Sequence, residues 1–384
     1  MSPVLLHIGP QKTGSTAIQR SMDASREALA EHGVYYPGPW YRMRTQASWA
    51  VMGTGSAVGR PAPDIAAWHE LLDDIGSHTL RLTCLSSEAL AMSDEAAVER
   101  IVAGLGGGEN VRLVYVARRL DRLLPSHWQE RVKSRLLWSY PQFLDLMLGE
   151  PDRADFEWRM MWRPQLVGEV VERWSAQIPV EQITVVVADE DDPGLLPRSF
   201  EELLGVPAGV LAAPTSGQNR SLTYAEAEAI RRVNHVFAEQ GWSPEQYWRL
   251  VQAGVAESLK NAPLPPDAAR MVGYTADQAA RVDALADEQV AALTGSGAHL
   301  VGDPERLRTR GLLEPVSSQP PIAEVSLELL GSVVEGLVVG GQGLTKRKIR
   351  ERRRAARAAD PLATASAGSL ARELARRARR RLPL

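Results

Sequence analysis

Within eight residues near the start of the chain, Gly9-Pro10-Gln11-Lys12-Thr13-Gly14-Ser15-Thr16, lie one lysine, two glycines and three hydroxyls. A turn of this make-up holds a phosphate or sulfate ester when it opens a helix. The helix start supplies free backbone N–H groups and the positive end of a dipole, and the lysine supplies a fixed cation. A second set is Arg118 with Ser126 eight residues on. A guanidinium fork and a hydroxyl converging from a strand end and the following helix suit a dianionic phosphate on a sugar. Ser86-Ser87-Glu88 offers a third chemistry, a carboxylate able to take a proton from a hydroxyl.

Short apolar runs position all three. Val4 to Ile8, Leu80 to Ser86, Val111 to Ala117 and Ile183 to Ala188 read as buried strands, and periodic stretches such as Ala17 to Leu29 between them read as helices. The pattern predicts an α/β fold with a single mostly parallel sheet covered by helices on both faces. Each set then falls at the carboxyl end of a strand, where open α/β sheets bind ligands. The lysine loop is not a Walker A sequence, since Lys12 precedes Gly14 instead of following it.

The loop Pro10 to Thr16 resembles the PKTGTT-type loop of sulfotransferases that use 3'-phosphoadenosine 5'-phosphosulfate (PAPS). The Arg118 to Ser126 stretch is similar to their 3'-phosphate motif. The resemblance runs over residues 4 to 240 and implies a P-loop-like 5'-phosphosulfate-binding loop after the first strand. It implies PAPS bound by Gln11, Lys12, Thr13, Gly14, Ser15, Thr16, Arg118 and Ser126, Lys12 acting on the leaving phosphate, adenosine 3',5'-bisphosphate as product, and no metal. Arg119 departs from the small or polar residue frequent after the motif arginine. Where cytosolic members place a histidine base this chain has Leu85-Ser86-Ser87-Glu88; glycan-acting members use a glutamate, so Glu88 is the candidate base. Capping of the following helix is its plainer role. His127 and Lys133 stand in reserve.

The remaining residues bound the function. Cys84 is the only cysteine, which excludes an internal disulfide or cysteine metal cluster, and it reads as packed. His7 reads as a packed strand residue, and the other histidines show no ligand spacing. The weakly periodic stretch from 40 to 63 reads as a substrate-facing loop or a mobile surface loop; Trp40, Tyr41, Trp49 and Trp68, in or beside it, read by default as core filling and otherwise as the wall of an acceptor pocket, and Trp158, Trp162 and Trp174 pose the same choice. Asn219-Arg220-Ser221 fits either a flap over the nucleotide or a helix cap by Ser221 or Thr223. Residues 245 to 300 read as largely helical.

Composition divides the chain into 1–312, a sulfotransferase domain; 313–344, a Pro, Ser and Gly-rich linker with a mildly apolar helix; and 345–384, a basic tail, partly helical or disordered. The tail from Lys346 carries 14 basic and 3 acidic side chains, and the rest of the chain 30 and 44. The acidic body argues against general nucleic-acid binding. The tail reads either as a segment seeking an anionic membrane or as a solubilising end or docking arm. With a first apolar run of only five residues and no signal peptide, the expected place is the cytoplasm, with peripheral contact at the inner membrane face on the first tail reading. The acceptor expected is a hydroxyl-bearing glycan, glycolipid or natural product; the sequence does not set the oligomeric state. The competing classes are another nucleotide-binding phosphotransferase, which would want Gly-Lys-[Ser/Thr] and an Asp in place of Arg118, and a non-catalytic binding protein on the same fold.

Overall fold

A computed structural model describes residues 1–38, 41–55, 61–211, 220–264, 273–317, 322 and 324–358; for 41, 42 and 344–358 it describes the backbone alone. Strands β1 (Val4–His7), β2 (Val34–Tyr35), β3 (Leu82–Ser86), β4 (Val111–Ala117), β5 (Ile183–Val187) and β6 (His299–Val301) form one sheet in the order β2-β3-β1-β4-β5-β6. Every pairing in it is parallel. β1 is central, with His7 opposite Ser86 of β3 on one side and Val114 of β4 on the other. The chain builds one side of the sheet first and then crosses to the other. A crevice is expected at such a reversal, outside the carboxyl ends of β3, β1 and β4.

Both faces of the sheet are covered because the strand residues alternate between two cores. Val4, Leu6 and Ile8 enter one, with Leu113, Tyr115, Ile183 and Val185; Leu5 enters the other, with Cys84, Val114, Val116 and Val186. Helices α1 (Ser15–Ala24) and α2 (Arg26–Glu31) follow β1, α3 (Tyr41–Met52) and α4 (Ala66–Gly76) follow β2, and α5 (Glu95–Gly104) follows β3. Between β4 and β5 come α6 (Leu120–Lys133), α7 (Tyr140–Leu148), α8 (Phe156–Gln165) and α9 (Val167–Ser175). Then α10 (Leu195–Leu204) and α11 (Tyr224–Gln240) precede the short α12 (Pro244–Tyr247) and α13 (Glu257–Asn261), and α14 (Ala276–Thr294) leads to β6. Residues of α3, α4, α5 and α9 fill the first core, and Ile18, Met22, Leu29, Phe200 and Leu204 the second. Each fully buried Leu, Ile or Val contributes about 1.5–3 kcal/mol, so a parallel sheet needs both layers.

The structure departs from the sequence reading in two places, for identifiable reasons. The weakly periodic stretch from 40 to 63 contains α3, whose inward face carries the polar side chains Arg44 and Ser48 beside Ala47, Ala50 and Val51, all buried. Arg44 donates to the Pro37 and Gly38 carbonyls and pairs with Asp23, and Ser48 donates to Ser87. Buried polar groups on the inward face erased the apolar period. The largely helical reading of 245–300 missed β6, a three-residue edge strand whose residues are only partly buried.

By packing, the chain forms two units, Met1–Glu239 with Pro263–Val325, and Gln240–Ala262 with the stretch from Ser326 onward. In the second unit the helical run Pro244–Asn261, π-helical over Trp248–Ala256, packs on α15 (Leu327–Ala358). Gly336 and Gly340 make the contact: a Cβ at either would strike the backbone of Val255 or Leu250. The glycines that read as linker composition are what lets two helices approach closely. Residues 240–262, counted with the first domain from sequence, pack here, and α15 runs unbroken through the boundary set at 344. The tail beyond Ala358 lies outside the described residues. No described helix is long and apolar enough to cross a membrane.

Candidate functional site

At the carboxyl end of β1 the sheet ladder extends into the loop, with the Val116 N–H donating to the Gly9 carbonyl at 2.9 Å. Gly9 has φ +91°, and a Cβ there would lie 2.6 Å from Glu88 Cα, so only glycine allows the turn after β3 to abut the turn after β1. Lys12 takes the left-handed conformation, φ 71°, uncommon for a side-chain-bearing residue and characteristic of ligand clamps. The hydroxyls of Thr13 and Ser15 both donate to the Pro10 carbonyl, at 2.7 and 2.9 Å. Gly14 is the left-handed N-cap of α1, with no side-chain cap, and the N–H groups of Gly14, Ser15 and Thr16 make no hydrogen bond among the described residues. The first turn of α1 thus keeps its donors and the positive end of its dipole together.

Arg118, just past the end of β4, reaches this loop. Its Nη1 donates to the Lys12 carbonyl at 2.8 Å and its Nη2 to Glu190 at 2.7 Å. Glu190 also meets Arg122, while Arg119 grips Asp121 through two hydrogen bonds of 2.9 and 2.8 Å. Lys12 Nζ lies 2.7 Å from Glu130 on α6, and Lys133 Nζ lies 2.6 Å from the same carboxylate. Burial alone would raise the Glu130 carboxyl, but the two ammoniums override it and hold the group well below its ordinary range. Glu190 is likewise held low: burial opposes the shift, and the hydrogen bond and charge of Arg118 outweigh it. Lys12, Lys133, Arg118, Arg119 and Arg122 outnumber Glu130, Glu190 and Asp121 in this linked set, an excess of positive charge that favours an anionic ligand.

Glu88 opens a 3-10 turn directly after β3, Glu88–Met92. Gln19 of α1 donates to Glu88 Oε2 at 2.6 Å and to Ser86 Oγ at 3.2 Å, and Ser86 is bonded to His7 Nδ1 at 2.8 Å. The helix that follows, α5, is capped by Asp94, whose carboxylate accepts from the Ala97 N–H. Burial pushes His7 down to about 3, so the relay starts from a neutral imidazole.

Among the residues singled out from sequence, the structure brings together Lys12, Arg118 and, through Gly9, Glu88. Gln11 offers its carbonyl to Gln165 at 3.3 Å. Thr16 is exposed and Ser126 half-buried on the second turn of α6; neither makes a described contact with Arg118. His127 is buried, its Nε2 without a hydrogen-bond partner among the described residues and its ring stacked on Phe143, and burial, aided by Arg131, pushes it down to about 3. Lys133 is engaged with Glu130. Cys84 is buried, its thiol pushed up to about 12.

The tryptophans singled out from sequence pack inward where they are described. Trp68, Trp128, Trp158, Trp162 and Trp174 are buried in the cores, and Trp49 packs against one of them. Trp40 and the Tyr41 side chain lie outside the described residues, as does Asn219. Arg220 forms a two-pronged pair with Glu226, and Thr223 and Glu226 bond each other's backbone N–H to cap α11.

Three residues escaped the sequence. Glu130 was signalled only by its three-residue spacing from Lys133, and Glu190 only by the acidic turn after β5. Gln19 looks like any polar residue on an amphipathic helix.

No family model matches the chain, and no curated protein sequence does. Among solved structures it is similar to the crystal structure of a sulfotransferase from Alicyclobacillus acidocaldarius, at 16% identity, covering 64% of this chain and 99% of that one, with a TM-score of 0.37. A likeness that faint carries no weight, and the site's own residues must carry the chemistry.

Proposed function

We propose that this chain is a sulfotransferase that moves the sulfuryl group of PAPS to a hydroxyl-bearing acceptor, a glycan, a glycolipid or a small natural product. The observation that carries the reading is the hydrogen bond from Arg118 to the Lys12 carbonyl, which joins two anion-binding stretches 106 residues apart at the ends of adjacent strands. The uncapped start of α1 and the positive excess around it fit a donor bearing phosphates at both ends. When bound, PAPS supplies the sulfuryl group and a bisphosphate leaving group.

The chain's own residues do the rest. Gln11 to Thr16 bind the 5' end, with Lys12 and the helix N–H groups stabilising the negative charge that develops on the departing phosphate oxygen. Arg118, with Ser126 on the second turn of α6, receives the 3'-phosphate. Glu88, steadied by Gln19, takes the proton of the acceptor hydroxyl as its oxygen bonds to sulfur. Glu130 and Glu190 act as exchangeable counter-ions. Both lie in pairs about a third exposed, where an ion pair contributes only about 0–1 kcal/mol and yields to a dianion.

Arg118→Ala is expected to weaken binding of adenosine 3',5'-bisphosphate about ten- to a hundredfold, the loss of a charge-assisted hydrogen bond. Calorimetry giving an unchanged Kd would remove Arg118 from the site. ATP with magnesium serves as the control, and tighter binding there would favour a phosphotransferase. Glu190→Gln is expected to tighten the same nucleotide by up to about fivefold, because a competing carboxylate is gone. Weaker binding would mean that Glu190 instead holds Arg118 in its working position.

A further inference from the structure

α15 has two apolar faces, and among the described residues only one of them is covered. Val333, Gly336 and Gly340 are buried, the glycines against the run around Val255 in the same unit. Leu327, Leu330, Val334 and Val338, spaced three, four and four apart, form a second line along the same helix, and all are exposed, Val334 at 51% and Val338 at 54%. Spacing of this kind keeps side chains on one stripe. Four large aliphatic side chains in register on a surface helix mark an interaction site, not scattered exposure.

The same helix continues without a break into Lys346-Arg347-Lys348-Ile349-Arg350-Glu351-Arg352-Arg353-Arg354-Ala355-Ala356-Arg357, with eight basic residues and one acidic. An apolar stripe leading into a dense basic block on one helix is the composition of a segment that lies in a lipid interface, its aliphatic side chains among the acyl chains and its cations on the head groups. A second copy of the chain fits less well: parallel pairing along the stripe would set two basic blocks side by side.

We infer that α15 docks this protein on an anionic membrane surface, with Leu327, Leu330, Val334 and Val338 as the inserted stripe and the block from Lys346 to Arg357 as the electrostatic anchor. The inference is independent of the sulfuryl-transfer reading. It places the contact on a described helix and gives it an apolar as well as a charged component, so it should respond both to salt and to the stripe.

Sedimentation of the full-length protein with phosphatidylcholine vesicles, with and without phosphatidylserine, tests it. Phosphatidylserine should raise the bound fraction at least about tenfold at low salt, and added salt should reverse the gain. Val334→Glu with Val338→Glu, both at exposed positions, should lower binding about tenfold, and so should replacing Lys346, Arg347, Lys348 and Arg350 by Gln. Sedimentation velocity without lipid should give one and the same mass for all three proteins. Failure of the wild type to bind phosphatidylserine vesicles, or equal binding by the stripe variant, would overturn the inference. A fall in mass on changing the stripe would overturn it too, assigning the face to a second copy.

Discussion

Glu88→Gln is expected to lower sulfuryl-transfer turnover by about 10² to 10⁴ while leaving the Kd for adenosine 3',5'-bisphosphate unchanged. Glu88 follows the end of β3, its Cα and Cβ against Gly9, and Gln19 holds its carboxylate through a hydrogen bond. Glutamine keeps the shape and can still meet Gln19 after an amide flip, so the substitution removes basicity and little else. The other titratable groups on this side of the sheet are poorer bases. His127 is buried and driven down to about 3, Lys133 is bound to Glu130, and Glu130 is itself held low by two ammoniums. Turnover within about threefold of wild type would take the role from Glu88 and leave water as the proton acceptor. Loss of nucleotide binding together with turnover would instead make Glu88 a structural support of the loop. Gln19→Leu separates positioning from chemistry. It should lower turnover by a smaller factor than Glu88→Gln, and it should leave the pH profile of the remaining activity in place.

The parts of this molecule legible in its sequence are those governed by local rules. Val4 to His7, Val111 to Ala117 and Ile183 to Val187 are apolar runs broken only by His7, Arg112 and Thr184, because both faces of a parallel strand are largely buried, and such runs stand out whatever the rest of the chain does. The turn from Gly9 to Thr16 was legible as a strand-to-helix turn because its glycines break the apolar run and take the positive φ that it needs. What was hidden depends on partners distant in sequence. Nothing near residue 19 announces that its amide will join Ser86 and Glu88, and nothing in Arg44 or Ser48 announces burial. The tryptophans were ambiguous for the opposite reason: a large aromatic ring serves a core and a sugar pocket equally well, and only packing decides. Here it placed Trp68, Trp128, Trp162 and Trp174 in the core.

Acid is expected to destabilise the fold well before its carboxylates titrate. His7 and His127 are buried imidazoles, each at about 3 where the ordinary value is 6.5, chiefly because burial disfavours the charged ring; Arg131 adds to the effect at His127. Their surroundings keep them neutral: His7 is bonded to Ser86 and meets the Phe200 ring edge-on at 4.9 Å, and His127 stacks on Phe143. The sign follows from which state binds the proton first. Between pH 6.5 and 3 the unfolded chain takes up protons that the folded chain refuses, so stability falls as pH falls, by about 1.4 kcal/mol per pH unit for each imidazole. Down to pH 4.5 the two histidines together remove about 5 kcal/mol, comparable to the whole stability of many domains. The depressed carboxyls of Glu130 and Glu190 add their own loss only below the ordinary carboxylate range, so the window from 6.5 to 4.5 isolates the histidines. His127→Phe removes one titrating ring, keeps the stack on Phe143, and discards an Nε2 that has no hydrogen-bond partner among the described residues. Urea unfolding of wild type and variant at pH 7 and pH 5 should show the variant losing about half as much stability between the two as the wild type does. An equal loss in both proteins would show that His127 is protonated in the folded chain at pH 5 and that the acid sensitivity arises elsewhere.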